Sequence, residues 1–220
     1  MREALIVWGG WSGHEPEQCA RIVADLLEGD GFKVHVETTT EAFADPSITD
    51  LSLIVPIITM AKIEKEEVQN LTRAVADGVG LAGFHGGMCD AFRDSVEYQF
   101  MCGGQWVAHP GNVIDYRVDI VKPDDPICRG IRSFAYRSEQ YYMHVDPTNE
   151  VLATTTFSGE HLPWIEGVVM PVAWKRRYGN GRVFYSSLGH VAREFNVPEM
   201  RTILHRGMLW AARQDAGMEG

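Results

Sequence analysis

The chemistry available to this sequence gathers at a few histidines set among glycines. In Gly83-Phe84-His85-Gly86-Gly87 an apolar strand runs into a residue flanked by glycines ahead of a helix, the form of a nucleophile elbow. Glycines let the backbone turn sharply and bring free amides to the rim, so Gly86 and Gly87 are read as donors to a developing oxyanion or a sugar hydroxyl. An imidazole at the apex serves as base, acid or metal ligand more readily than as covalent nucleophile, and His85 is assigned a catalytic role. The stretch Arg182 to His190 repeats the pattern: an alternating strand ends at Gly189 and His190. His190 should therefore emerge on the same rim.

Further candidates come from three loops. After the first strand stand Gly9, Gly10, Trp11, His14 and Glu15; Gly10 would offer its amide to an oxygen, and Glu15 equally suits the positive end of the following helix. Gln105 to Gly111 brings Trp106, able to stack on a sugar ring, next to His109. Arg137 to Tyr142 reads as a loop or edge leaning over the rim, with Glu139 to orient or transfer a proton and Tyr141 as an aromatic contact. His14, His85, His109 and His190 could together hold a divalent metal such as zinc, although no HxxxH or HxH spacing marks them as a set. His35, His144, His161 and His205 are read as structural, and Cys89, one helical turn beyond His85, as a buried thiol.

Positioning these residues requires strand ends that share one edge. Ala4 to Trp8 reads as a strand; Cys19, Ile22, Val23, Leu26 and Leu27 form one helical stripe between Glu15 and Gly29. Phe32 to Glu37 and Leu51 to Ile58 follow as strands, then a helix over Lys65 to Asp77 and a strand over Val79 to Phe84. This rhythm predicts a doubly wound α/β fold with a mainly parallel sheet, in which ligands bind beyond the carboxyl ends of the strands. Strands are expected near Ile114 to Val121, Val151 to Thr156, Val172 to Lys175 and Arg182 to Ser186, the last two as a hairpin through Tyr178 to Gly181, and a closing helix over Pro198 to Arg213. Residues 1–213 read as a single domain and residues 214–220 as a frayed tail.

Composition narrows the partners. Thirty acidic residues against 20 basic ones in 220 give a net charge of −10, so no broad positive field favours nucleic acid or anionic lipid. No apolar run reaches the length of a membrane span, and the amino terminus enters a strand without a basic leader, so a cytoplasmic protein is expected. The four cysteines show no CxxC pair and read as reduced thiols. A small-molecule partner, with or without homo-oligomerisation, is the expectation.

The ordered set Phe84-His85-Gly86-Gly87, Glu97 to Phe100, Gly103 to Pro110, Ser138 to Tyr142, Pro171 to Trp174 and Tyr178 to His190 closely resembles the ThuA-like family, named for trehalose utilisation. The resemblance runs from Ala4 to Arg213. It implies a flavodoxin-like fold related to class I glutamine amidotransferases, and a link to bacterial metabolism of trehalose, related disaccharides or their keto forms. Amidotransferases carry a cysteine at the elbow and a later histidine beside a glutamate; here His85 occupies the elbow and His190 is similar to the later histidine, so glutaminase activity is not expected. The leading expectation is a sugar-processing enzyme of isomerase, lyase or hydrolase type working by acid/base chemistry of His85 and His190, with Glu139 orienting an imidazole. The alternatives are a noncatalytic sugar-binding or regulatory module and a metal-dependent hydrolase.

Overall fold

The computed structural model describes residues 2–214, so the expected tail beyond Gln214 lies outside the described residues. In chain order the elements are β1 (Glu3–Gly10), α1 (Pro16–Gly29), β2 (Lys33–Glu37), β3 (Leu53–Thr59), α2 (Lys65–Ala76), β4 (Gly80–Phe84), α3 (His85–Cys89), α4 (Val96–Cys102), β5 (Gly104–Ala108), β6 (Val113–Ile120), β7 (Phe134–Glu139), β8 (Tyr142–Val145), β9 (Glu150–Thr156), β10 (Val169–Tyr178), β11 (Gly181–Ser186) and α5 (Pro198–Ala211). Nine strands form one sheet in the order β2-β1-β3-β4-β11-β10-β9-β6-β7, and β5 pairs with β8 separately. The pairings from β2 to β11 are parallel; those from β11 to β7 are antiparallel. Among the described residues no helix is long and apolar enough to cross a membrane.

The inner parallel strands β1, β3 and β4 are covered on both faces, which is why they read as near-continuous apolar runs, whereas the edge strand β2 is partly exposed. Alternate residues of β1 go to opposite sides: Ala4 and Ile6 join Val23 and Leu27 of α1 and Ile203 and Met208 of α5, whereas Leu5 and Val7 join Val68, Leu71 and Val75 of α2. The predicted hairpin is present, with Tyr178 opposite Gly181. The segment Arg137 to Tyr142, expected as a loop or edge, holds the last residues of β7, which is the edge strand of the sheet, then the link Gln140–Tyr141 and the first residue of β8. Phe134, Tyr136 and Ser138 are buried between exposed Ala135 and Arg137, but the apolar alternation stops after Tyr136 because Ser138 and Glu139 are polar and buried. Strands β5 and β8 and helix α4 also went unpredicted; each is short, and α4 begins at an exposed Val96.

The antiparallel half does not continue flat. β7 is five strands from β4, which at about 4.8 Å per strand would put their ends roughly 24 Å apart. Yet Glu139, at the end of β7, touches His85, which follows β4, at 3.1 Å. The β9–β10 register shifts between Pro171 and Trp174, as a bulge that bends a sheet does. β6 pairs with β9 only through Asp119 and Ile120, while its residues from Val113 to Val118 pair with β7. The β6–β7 ribbon thus peels from the sheet and folds its free end over the rim.

Helix α5 closes the opposite face at a glycine. A Cβ at Gly207 would stand 2.3 Å from the Phe184 ring on β11, and Phe184 is fully buried. Gly207→Ala should lower stability by about 1–3 kcal/mol despite alanine's better helix propensity, because overpacking outweighs it; urea denaturation measures the change.

Candidate active site

Four parallel-running elements deliver side chains to one edge. His14 follows β1, His85 follows β4 and His190 follows β11; β7, antiparallel to β6, ends at that same edge with Glu139. One ligand atom from each of His14, His85, Glu139 and His190 lies within 4.8 Å of the other three. Glu139 Oε2 is 3.1 Å from His85 Nε2, 3.4 Å from His190 Nδ1 and 4.0 Å from His14 Nε2, and His190 Nδ1 is 3.2 Å from His85 Nε2.

Local backbone geometry aims these groups. His85 has φ +48°, a left-handed conformation costly for a residue with a Cβ and typical of strained functional turns. It is held there by the Tyr185 hydroxyl, which donates to the His85 carbonyl at 2.9 Å. The ring stacks on buried Tyr141 at 4.1 Å. His14 lies edge-on to His85 and is close to Gly86, where a Cβ would approach its ring to 2.6 Å. Gly86 is thus required by close approach between the first loop and α3.

The hydrogen bonds fix which imidazole nitrogens carry lone pairs. His85 Nδ1 is 2.8 Å from the Ser187 carbonyl, which can only accept, so Nδ1 bears the hydrogen. A neutral His85 then presents a lone pair on Nε2 to the Glu139 carboxylate and to His190 Nδ1. Two acceptors at 3.1 Å repel unless a proton or a metal cation lies between them. His14 Nδ1 contacts the Thr59 hydroxyl at 2.8 Å, leaving Nε2 toward Glu139. Outer hydrogen bonds of this kind orient metal-binding imidazoles. The separations of 3.1–3.4 Å among His85, His190 and Glu139 match the roughly 3.3 Å edges of a tetrahedron with metal–ligand bonds of about 2.0–2.1 Å, while His14 Nε2 stands farther out, at 4.0 Å from Glu139 in a set that spans up to 4.8 Å. The donor set, three imidazoles and one carboxylate, suits a zinc-class ion.

Electrostatics keep Glu139 ionised and hold His14 and His190 below the ordinary imidazole range. Burial, reinforced by His85 and His190, lowers the pKa of His14 to about 3; burial and His85 also lower that of His190. Burial opposes ionisation of Glu139, but the hydrogen bond to His85 and the positive fields of His85, His190 and His109 outweigh it and bring its pKa to about 2. The cavity bounded by His14, Thr59, Phe84, His85 and Gly189 is only about 10 Å³, about the space of one water. His85 and Glu139 are buried.

The remaining sequence candidates divide. His109 was grouped with the metal-ligating histidines; its Nε2 instead lies 3.8 Å from the outer oxygen of Glu139, outside the ligand set, and Glu139 completes that set. His109 is 30% exposed at its side chain and so stands on the open side. Trp11 is exposed and edge-on to His14; Trp106 packs between His109 and the Arg93 guanidinium. Tyr141, expected in substrate contact, is 3% exposed and supports His85 from beneath. Glu15 turns toward the protein and accepts the Ala192 amide at 3.0 Å, bracing the His190 loop rather than facing a ligand. Gly10 pairs with Thr59 on β3, and Gly87 packs on the Ile57 backbone; both serve close packing. Cys89 is buried, and burial with Cys102 beside it pushes its thiol well above the ordinary range. His35 and His205 pair with Glu3 and Asp30. Sequence reasoning missed Thr59, Ser187, Tyr136 and Glu194; Thr59, ending an apolar strand, was the one with a local signal.

The family model for ThuA, trehalose utilisation, matches residues 3–211. The chain belongs to this family. ThuA membership supports a carbohydrate-related role. Solved structures of similar fold include ThuA-like proteins from Bacteroides uniformis, at 19% identity and TM-score 0.80 with 98% of this chain and 93% of that chain covered, and from Parabacteroides merdae, at 17% identity and TM-score 0.80 with 99% and 94% covered. A β-galactosidase from Bacillus circulans sp. alkalophilus shares the fold over 96% of this chain and 30% of its own, at 14% identity and TM-score 0.59. No curated protein matches this chain.

The buried imidazoles make stability depend on pH. His14 is held near 3 against an ordinary 6.5, so the unfolded chain binds its proton first. Stability of metal-stripped protein should be full above about 6.5 and fall as pH drops toward 3, by up to about 1.4 kcal/mol per pH unit for this group. His14→Gln should flatten that slope in chemical denaturation at stepped pH; an unchanged slope would exclude His14 as its source.

Proposed function

We propose that the protein is a carbohydrate-processing enzyme whose reaction centre uses a divalent zinc-class metal held by His14 Nε2, His85 Nε2, His190 Nδ1 and Glu139 Oε2, acting on a trehalose-type disaccharide or its keto derivative. The observation carrying this reading is the His85 tautomer: with Nδ1 committed to the Ser187 carbonyl at 2.8 Å, Nε2 turns a lone pair toward a buried carboxylate at 3.1 Å. Family membership supports the sugar class.

A bound ion of this class would polarise a substrate oxygen or activate a water. The protein's own groups supply the rest. Three neutral imidazoles and one carboxylate would leave a bound divalent ion with one net positive charge, which would attract a carbonyl or hydroxyl oxygen. His109, on the open side beside Glu139, is placed to hydrogen-bond a substrate hydroxyl, and exposed Trp11 offers an apolar ring to a sugar. The cavity beside His14 and His85 is too small for a sugar ring, so the ring would stay outside the buried groups. The competing reading, proton transfer between His85 and His190 without a metal, satisfies the same close contact by protonating His85.

Metal analysis separates them. Purified protein should carry one zinc-class ion per chain, lose turnover on a panel of disaccharides and keto-disaccharides when chelated, and regain it with metal. His85→Ala and Glu139→Ala should weaken the ion by more than about 100-fold, beyond the loss typical of outer-shell changes. Wild-type protein that turns over sugar without a stoichiometric ion would favour the proton-transfer account.

A further inference from the structure

Glu194 is buried at 6% exposure, and no Lys, Arg or His side-chain nitrogen among the described residues pairs with it within 4.0 Å. Its Oε2 accepts three hydrogen bonds: from the Tyr136 hydroxyl at 2.5 Å, the Ser138 hydroxyl at 3.1 Å and the His190 amide at 2.9 Å. Tyr136 in turn accepts the Gly189 amide at 3.1 Å. Tyr136 and Ser138 lie on the inward face of β7, and the residue after Ser138 is Glu139. One carboxylate therefore joins the strand end that presents Glu139 to the loop that presents His190. Glu15 supplies a second brace, accepting the Ala192 amide from the first loop, which carries His14.

A buried carboxylate with neutral donors alone is expensive unless a cation stands nearby. The metal centre described above would be that cation: a divalent ion facing the single carboxylate Glu139 retains one positive charge, which a second buried carboxylate balances. We infer that Glu194 is a positioning residue of the metal centre, an outer carboxylate that fixes the His190 loop against β7 and balances the charge of a divalent ion held by the inner four side chains. The inference rests on the metal reading of the site. It adds a residue that contacts no ligand atom of the set, whose effect must appear in metal affinity before any turnover is considered.

The test uses cobalt(II) and zinc(II) alone, on the full chain stripped by chelator. Wild-type protein should bind one cobalt per chain with a visible d–d band, and zinc competition against a chromophoric chelator gives the affinity. Glu194→Gln keeps an oxygen to accept the same three hydrogen bonds but removes the charge, and should weaken zinc by about 10–100-fold and shift the cobalt band, with melting of the apoprotein lowered little. Tyr136→Phe, which keeps the carboxylate but frees the Gly189 amide, should weaken zinc several-fold and decides the matter if the Gln variant does not fold. Wild-type that binds cobalt together with variants within twofold of its zinc affinity would overturn the role of Glu194 while leaving the metal centre standing. Wild-type that binds neither ion at this site would overturn the metal reading and this inference with it.

Discussion

The site depends on one contact, the Glu139 carboxylate against His85 Nε2 at 3.1 Å. The two residues come from opposite parts of the sheet order, and the contact exists only because the β6–β7 ribbon leaves the sheet and folds across the carboxyl edge. Ser187 fixes the His85 tautomer, Tyr185 holds its strained backbone and Tyr141 supports its ring. Glu139 therefore meets an imidazole that has little freedom to turn away. A buried carboxylate beside a histidine lone pair has no stable arrangement without a proton or cation, so the packing of the domain also defines the electrostatics of its centre.

This arrangement uses the general habit of α/β sheets, in which ligands sit beyond the carboxyl ends of the strands, but departs from it in one respect. The parallel strands β1, β4 and β11 supply imidazoles, whereas the anionic member comes from the antiparallel half. The bulge near Pro171 to Trp174 and the divided pairing of β6 convert an extended sheet into a cover. The buried network through Glu194, Tyr136 and Ser138 then joins that cover to the His190 loop, so the two halves of the centre share hydrogen bonds as well as packing.

The elbow geometry around His85 keeps the strand, tight turn and short helix of a nucleophile elbow, but its apex bears an imidazole with one nitrogen already spent on a carbonyl. The remaining nitrogen faces inward to other ligand-type atoms, not outward to a bulky substrate. Cys89, the nearest thiol along the chain, lies in the core next to Cys102 with its thiol held protonated. The region is organised around a small enclosed point, with exposed Trp11 and half-buried His109 beside it.

The sequence alone determined the parallel half of the fold. Its strands are apolar on both faces and its helices carry one apolar stripe, so hydrophobic period distinguishes them and places His14, His85 and His190 at strand ends on one edge. The glycines around His85 further marked a sharp turn. Tertiary structure decided the rest. The inward face of β7 carries two aromatic residues and then turns polar at Ser138 and Glu139, so its hydrophobic alternation is too short to reveal a strand, and the folding-over of β6 and β7 depends on a bulge and on divided pairing that have no local pattern. For that reason the sequence grouped four histidines, while the fold put Glu139 in the place assigned to His109 and turned Tyr141 and Glu15 into supports. The same reason hid Glu194, whose partners lie more than 50 residues away in the chain for two of its three hydrogen bonds.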